Sequence, residues 1–165
     1  MADWERAFRA LLATRGDALR GYAYLLTGDP ASASDLVQEA LTRVFGRRRV
    51  GEDIDKLEAY VRRAMLNQYV DSRRRLKRWN ATRHLLVDPP HHDDDRLAVA
   101  DDVRRALGTL SPRQRACVVL RYYEDLTVAE IADQLGCAEG TVKRHLADAR
   151  AKLAPQLGVT EESAP

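Results

Sequence analysis

Apolar residues along this chain recur at helical intervals. Leu11, Leu12, Leu19, Tyr22, Leu25 and Leu26 fall near one side of a first helix. That helix should stop at Thr27-Gly28-Asp29-Pro30, where glycine closes one helix, aspartate caps the next and proline suits its first position. Leu36, Val37, Ala40, Leu41, Val44 and Phe45 then form a second stripe, which leaves Asp35, Gln38, Glu39 and Arg43 on the opposite face. After an Arg-rich loop over 46–55, the spacing predicts a third helix with Leu57, Tyr60, Val61, Ala64, Met65 and Val70 inward, running on to Trp79. The fold class this pattern implies is all-α.

The periodicity breaks at Val87-Asp88-Pro89-Pro90-His91-His92-Asp93-Asp94-Asp95, where a proline pair bars a helix and polar residues come next without a period. A flexible joint is expected over 80–97. Its His and Asp run reads as a solvated acidic linker, because adjacent residues in an unstructured segment rarely converge on one ion.

Helical signals resume beyond the joint. Ser111-Pro112-Arg113-Gln114 is a capping box with proline at the first helical position, succeeded by the apolar face of Cys117, Val118, Leu120 and Tyr123. Thr127-Val128-Ala129-Glu130 is a second capping box, opening a short helix that points Ile131, Ala132 and Leu135 inward and stops at Gly136. A turn, Cys137-Ala138-Glu139, leads to a last helix from Gly140 with Val142, Leu146, Ala149 and Leu153 in one stripe. A short capped helix, a glycine turn and a helix with a separate polar face make a helix-turn-helix. The expected organisation is two small helical domains, 1–79 and 98–157, joined by the linker 80–97 and trailed by a tail over 158–165.

Charge sharpens this division. The 165 residues carry 27 Lys and Arg against 25 Asp and Glu, a formal net charge of +2. Residues 43–79, however, hold 12 positive and 5 negative side chains, 80–102 hold 2 and 6, and 103–154 hold 9 and 6. Two basic blocks flanking an acidic one suit polyanion-binding surfaces on separate modules. No stretch approaches the roughly 18 apolar residues of a membrane span, and the N-terminus lacks the apolar core of a signal peptide, so no membrane insertion and a cytoplasmic location are expected. Cys117 and Cys137 have no second Cys or His at metal-ligand spacing and read as small hydrophobes. With neither a Gly-rich phosphate loop nor a spaced carboxylate set, the chain is expected to hold no catalytic site, metal or cofactor.

Candidate chemistry gathers on two helices. With Val142 and Leu146 buried, Lys143, Arg144, Ala147 and Asp148 project from the N-terminal half of the last helix, the part that enters a major groove. Arg150 and Lys152 come further along, where phosphate contacts fix register. On the third helix, the run from Arg73 to Trp79 has five cations and a closing aromatic. Such a run suits a phosphate backbone with stacked bases, or simply a solvated helix end.

Leu110-Ser111-Pro112-Arg113-Gln114-Arg115, Leu120 to Thr127, Glu130-Ile131-Ala132 and Gly140-Thr141-Val142-Lys143 resemble the C-terminal promoter-binding domain of bacterial sigma factors. The stretches 33–41 and 60–71 resemble their N-terminal domain. Two such domains on a short linker are similar to the small extracytoplasmic-function (ECF) group. The resemblance implies binding to core RNA polymerase and promoter-specific initiation, with Asp35, Gln38, Glu39 and Arg43 as polymerase contacts. It implies minus-10 contacts from the loop bearing Arg47, Arg48 and Arg49 together with Asn67, Asp71, Arg74 and Arg75. The minus-35 duplex would be read by Thr141, Lys143, Arg144, Ala147, Asp148 and Arg150. An anti-sigma factor is a further partner that the family suggests. A rival reading is a LuxR-type helix-turn-helix regulator acting without core polymerase, which leaves residues 30–79 unexplained.

Overall fold

In the computed structural model, the structure describes residues 2–47, 53–83 and 98–158. The chain divides into two compact units, Met1–Val87 and Asp88–Pro165. The described residues contain helices and no strand.

The first unit is built from α1 (Asp3–Thr27), α2 (Pro30–Arg47) and α3 (Ile54–Arg83), each packed on the other two. Local chemistry sets the boundary between α1 and α2. Gly28 takes the left-handed conformation at φ 74° and donates its N–H to Tyr24 O at 2.7 Å, satisfying one of the last carbonyls of α1. The Asp29 carboxylate then accepts from Ser32 N–H at 2.8 Å, so Asp29 caps α2 with Pro30 at its first position. Asp53 does the same for α3, accepting from Asp55 N–H at 3.1 Å.

Between the helices lies a core of Leu11, Leu19, Tyr22, Leu26, Leu36, Val37, Leu41, Leu57, Val61, Met65 and Leu66. Phe8 and Phe45 close one side edge to face, with centroids 5.2 Å apart at 89°. A charged seam joins α1 to α3. Arg15 Nη2 donates to Asp55 Oδ1 at 3.1 Å, and Glu58 accepts from Arg62 Nη2 at 2.8 Å. The Arg62 guanidinium also lies over the Tyr22 ring, 5.1 Å from its centroid.

On α3 the buried arc differs from the expected stripe. Tyr60, expected inward, is 42% exposed, whereas Leu66, Gln68 and Tyr69 are buried. The reason is that α3 faces two partners, α1 and α2. Its buried arc is widened to one side of the Leu57, Val61, Met65 line, and Tyr60 falls on the other. The helix also continues to Arg83, past Trp79.

In the second unit, α7 (Glu139–Leu157) packs against α4 (Ala98–Gly108), α5 (Pro112–Val118) and α6 (Val128–Leu135). Both capping boxes form. The Ser111 and Thr127 hydroxyls accept from the N–H groups of Gln114 and Glu130 at 3.2 Å each, and those two side chains accept in return from the cap N–H groups. Gly136, at φ 65°, ends α6 in the left-handed conformation, and α7 starts at Glu139, one residue before the expected start. Val142, Leu146 and Ala149 of α7 are buried, as are Ala116 and Cys117 of α5, Leu120, and Ile131 of α6.

Between α5 and α6 the chain makes a π-helical turn, Val119–Tyr123, in which Glu124 N–H reaches back to Val119 O at 3.2 Å. One added residue in a turn rotates the side chains beyond it about the helix axis. Tyr123, expected on the apolar face, is consequently 46% exposed, and Tyr122 is 62% exposed.

Candidate nucleic-acid and polymerase interfaces

Three polar faces carry the candidate binding residues. On α2, Asp35, Gln38, Glu39 and Arg43 are all exposed, at the three- and four-residue steps that place them side by side. Leu36, Val37, Ala40 and Val44 anchor the opposite side in the core, so this acidic and basic face is held on a packed helix.

On α3, Asn67, Asp71, Arg74 and Arg75 are exposed. Asn67, Asp71 and Arg74 share one stripe with Tyr60, which the sequence pattern placed inward, and Arg63, which it did not assign to a binding face. A signal for Tyr60 was present: it precedes Asn67 by seven residues, two helical turns, and so shares its face. Toward the end of α3, Arg73 lies over the Tyr69 ring at 5.6 Å, while Leu76 and Trp79 are 44% and 48% exposed. Arg47 closes α2, and Arg48 and Arg49 lie outside the described residues, as does the His and Asp run of the linker.

On α7, Lys143, Arg144, Ala147, Asp148 and Arg150 are exposed and Thr141 is half-buried. Lys143, Ala147 and Arg150 lie along one edge of the helix, with Arg144 and Asp148 on the next. Among the described residues, the Lys143 and Arg144 side chains make no ion pair or hydrogen bond. Both remain available to an anionic or base-edge partner. Arg150 Nε donates to Tyr122 Oη at 3.2 Å, and Lys152 Nζ donates to Gln114 Oε1 at 3.0 Å.

One thiol in this unit is strongly perturbed. Burial, with a smaller contribution from the charge of Cys137, pushes the Cys117 thiol up to about 12. Cys117 is thus a neutral core residue. Among the described residues no group of three or more His, Cys, Asp or Glu side chains is placed to hold a metal ion, and no helix is long and apolar enough to cross a membrane.

These features define a two-unit, all-helical protein whose second unit presents a helix-turn-helix with an open basic face. Residues 11–79 match the family model described as Sigma-70 region 2, and residues 100–153 match that of Sigma-70, region 4. The RNA polymerase sigma-E factor of Streptomyces coelicolor is 37% identical over 155 residues, covering 91% of this chain and 85% of that protein. The ECF RNA polymerase sigma factor SigL of Mycobacterium tuberculosis is 36% identical over 165 residues, covering 92% and 91%. Among solved structures, the sigma factor RpoE in complex with the anti-sigma factor NepR from Bartonella quintana is similar at a TM-score of 0.71 and 25% identity, covering 93% of this chain and 98% of that one. CnrH in complex with the cytosolic domain of CnrY gives 0.60 and 26%, covering 95% and 91%. The chain belongs to the extracytoplasmic-function sigma factors of bacterial RNA polymerase. The match over 11–79 accounts for the half that a LuxR-type regulator leaves unexplained, and that rival falls away.

Proposed function

We propose that this ECF sigma factor directs promoter-specific initiation through three separate faces. The α2 face of Asp35, Gln38, Glu39 and Arg43 docks on core RNA polymerase, where mixed charge suits a partner bearing arginines. The α3 stripe, with Asn67, Asp71, Arg74 and Arg75, together with Arg47 at the end of α2 and the following Arg48 and Arg49, engages the minus-10 element and holds a flipped base. Tyr60, exposed on the same stripe, offers a stacking surface that offsets the few kcal/mol of unstacking. The face of α7 bearing Thr141, Lys143, Arg144, Ala147, Asp148 and Arg150 reads the minus-35 duplex, with Lys143 and Arg144 nearest the base edges.

The observation that carries this reading is the presence, in one chain, of a region 2 unit and a region 4 unit that each present exposed cations on a helix anchored by its opposite face. The acidic stretch 84–97, which follows α3 where the expected linker began at 80, joins the two modules along a basic wall of the polymerase. Two similar structures hold a second protein, named an anti-sigma factor in one of them, which supports an anti-sigma partner for this chain as well. The protein works in the cytoplasm and acts by binding, without catalysis of its own.

Run-off transcription tests the central point. Core polymerase supplemented with this protein should produce promoter-specific transcripts that core alone does not make. Tight DNA binding without association with core would overturn the reading.

A further inference from the structure

We infer that Tyr122 and Arg150 form a single clamp for a DNA backbone phosphate, in which Tyr122 positions the Arg150 guanidinium and supplies a second donor. The inference rests on the reading that α7 faces the minus-35 duplex, and it deepens that reading by adding a residue outside the recognition helix.

Arg150 is held differently from the ion-paired arginines of the first unit. In the first unit, Arg15 and Arg62 are paired with carboxylates, Asp55 and Glu58, which cancel their charge within the fold. Arg150 is held by a neutral phenol: its Nε donates to Tyr122 Oη at 3.2 Å, across 28 residues of sequence. No carboxylate among the described residues lies within ion-pair distance of it. The side chain is therefore ordered while its full charge stays uncompensated, as an anion-binding group requires.

Donor geometry points to the same ligand. With Nε engaged, the two Nη groups of Arg150 remain as a planar pair of donors, the shape that matches two phosphate oxygens. A phenol oxygen that accepts from Nε–H still has its own O–H to donate. Tyr122 is 62% exposed, so the residue stands at the surface.

A backbone distortion puts Tyr122 there. The π-helical turn Val119–Tyr123 inserts a residue between α5 and α6, a distortion common at functional sites. The loop after it is fastened by Arg121 Nη1 donating to Leu126 O at 2.9 Å, with Asp125 left-handed at φ 56°.

Position along α7 fits a phosphate as well. Arg150 lies two turns beyond Lys143 on the same edge, about 10 Å along the axis. That approaches the roughly 12 Å width of the major groove, so Arg150 reaches the groove wall when Lys143 reaches base edges.

The test uses holoenzyme reconstituted from the full chain and core polymerase, with affinity for a promoter fragment measured across salt concentrations. Arg150→Ala should lower the slope of log affinity against log salt by about one, as loss of one phosphate contact requires. Tyr122→Phe, which removes no charge, should weaken binding about three- to tenfold, leave the melting temperature of the protein unchanged, and cost clearly less in an R150A or R150K background, where only its own donor is left to lose. A single methylphosphonate at the contacted position should erase the difference between wild type and Tyr122→Phe. Unchanged affinity for Tyr122→Phe, or additive losses in the double variant, would overturn the clamp while the minus-35 reading stands. If Arg150→Ala and the pair Lys143→Ala, Arg144→Ala all leave promoter affinity intact, the minus-35 reading itself fails.

Discussion

Arg15 on α1 and Glu58 on α3 stand 2.9 Å apart, Nε to Oε2, in an ion pair that ties the middle of one helix to the first turns of the other. The Nε–H is not aimed at the carboxylate, so this contact acts through charge, while the aligned hydrogen bond from Arg15 goes to Asp55. That bond and the Glu58 charge raise the Arg15 pKa further, keeping the guanidinium charged. Glu58 is the hinge of the arrangement, since it also accepts from Arg62 through Nε and Nη2. The seam fixes the start of α3, the helix whose exposed stripe is assigned to the minus-10 element.

Glu58→Ala removes the carboxylate shared by Arg15 and the mostly buried Arg62, while Arg15 keeps its bond to Asp55 and Arg62 its place over the Tyr22 ring. The first unit should lose about 1–2 kcal/mol of stability. Arg15→Ala, at a more exposed position, should cost less. Both tryptophans of the chain, Trp4 and Trp79, lie in the unit Met1–Val87, so the denaturation midpoint by tryptophan fluorescence reads this unit alone.

Asp35→Arg combined with Glu39→Arg reverses the charge of the α2 face without touching its buried side. Affinity for core polymerase should fall at least about tenfold, because like charges set against one another cost several kcal/mol. The fluorescence midpoint should stay at the wild-type value. Unchanged core affinity would remove α2 from the polymerase interface.

Lys143→Ala with Arg144→Ala removes the two unpaired cations near the start of α7. Affinity for a minus-35 duplex should drop roughly tenfold or more, with a loss of sequence preference. Quantitative binding of holoenzyme to promoters with intact and scrambled minus-35 elements checks this. A retained preference would place base readout elsewhere.

Thr127→Ala deletes the hydroxyl that accepts from Glu130 N–H at 3.2 Å, breaking one half of the capping box. The helix-turn-helix should lose about 1 kcal/mol. Faster hydrogen exchange in α6 is the expected signature, with exchange in α1 to α3 unaltered.

Cys117 should resist thiol reagents in the native protein. A thiol raised from 9.0 to about 12 has a thiolate population about a thousandfold below the ordinary one at neutral pH. Cys137, half-buried at the turn, should react first. Because folding raises the Cys117 pKa, its neutral form contributes stability that is present below pH 9.0 and lost as pH rises toward about 12. Alkaline titration of helix content in wild type and Cys117→Ala tests the sign: the variant should lose less between those limits.

Much of the protein was legible in the residues alone. Both capping boxes, the Asp29 cap with Pro30, the glycine stops and the stripes of α2 and α7 depend on contacts within a few residues, so local spacing determines them. The exposed α2 face and the open side of α7 result directly, because burying one stripe of a helix leaves the other in solvent. What only the tertiary structure decided involves distant partners. The two-sided packing of α3 turned Tyr60 outward beside Asn67. Arg15 met Asp55 across 40 residues, and Arg150 met Tyr122 across 28 after a π-helical turn rotated that tyrosine into reach. Periodicity reports which side of a helix is apolar, but which cation is neutralised and which stays open depends on the side chain a second helix brings to it.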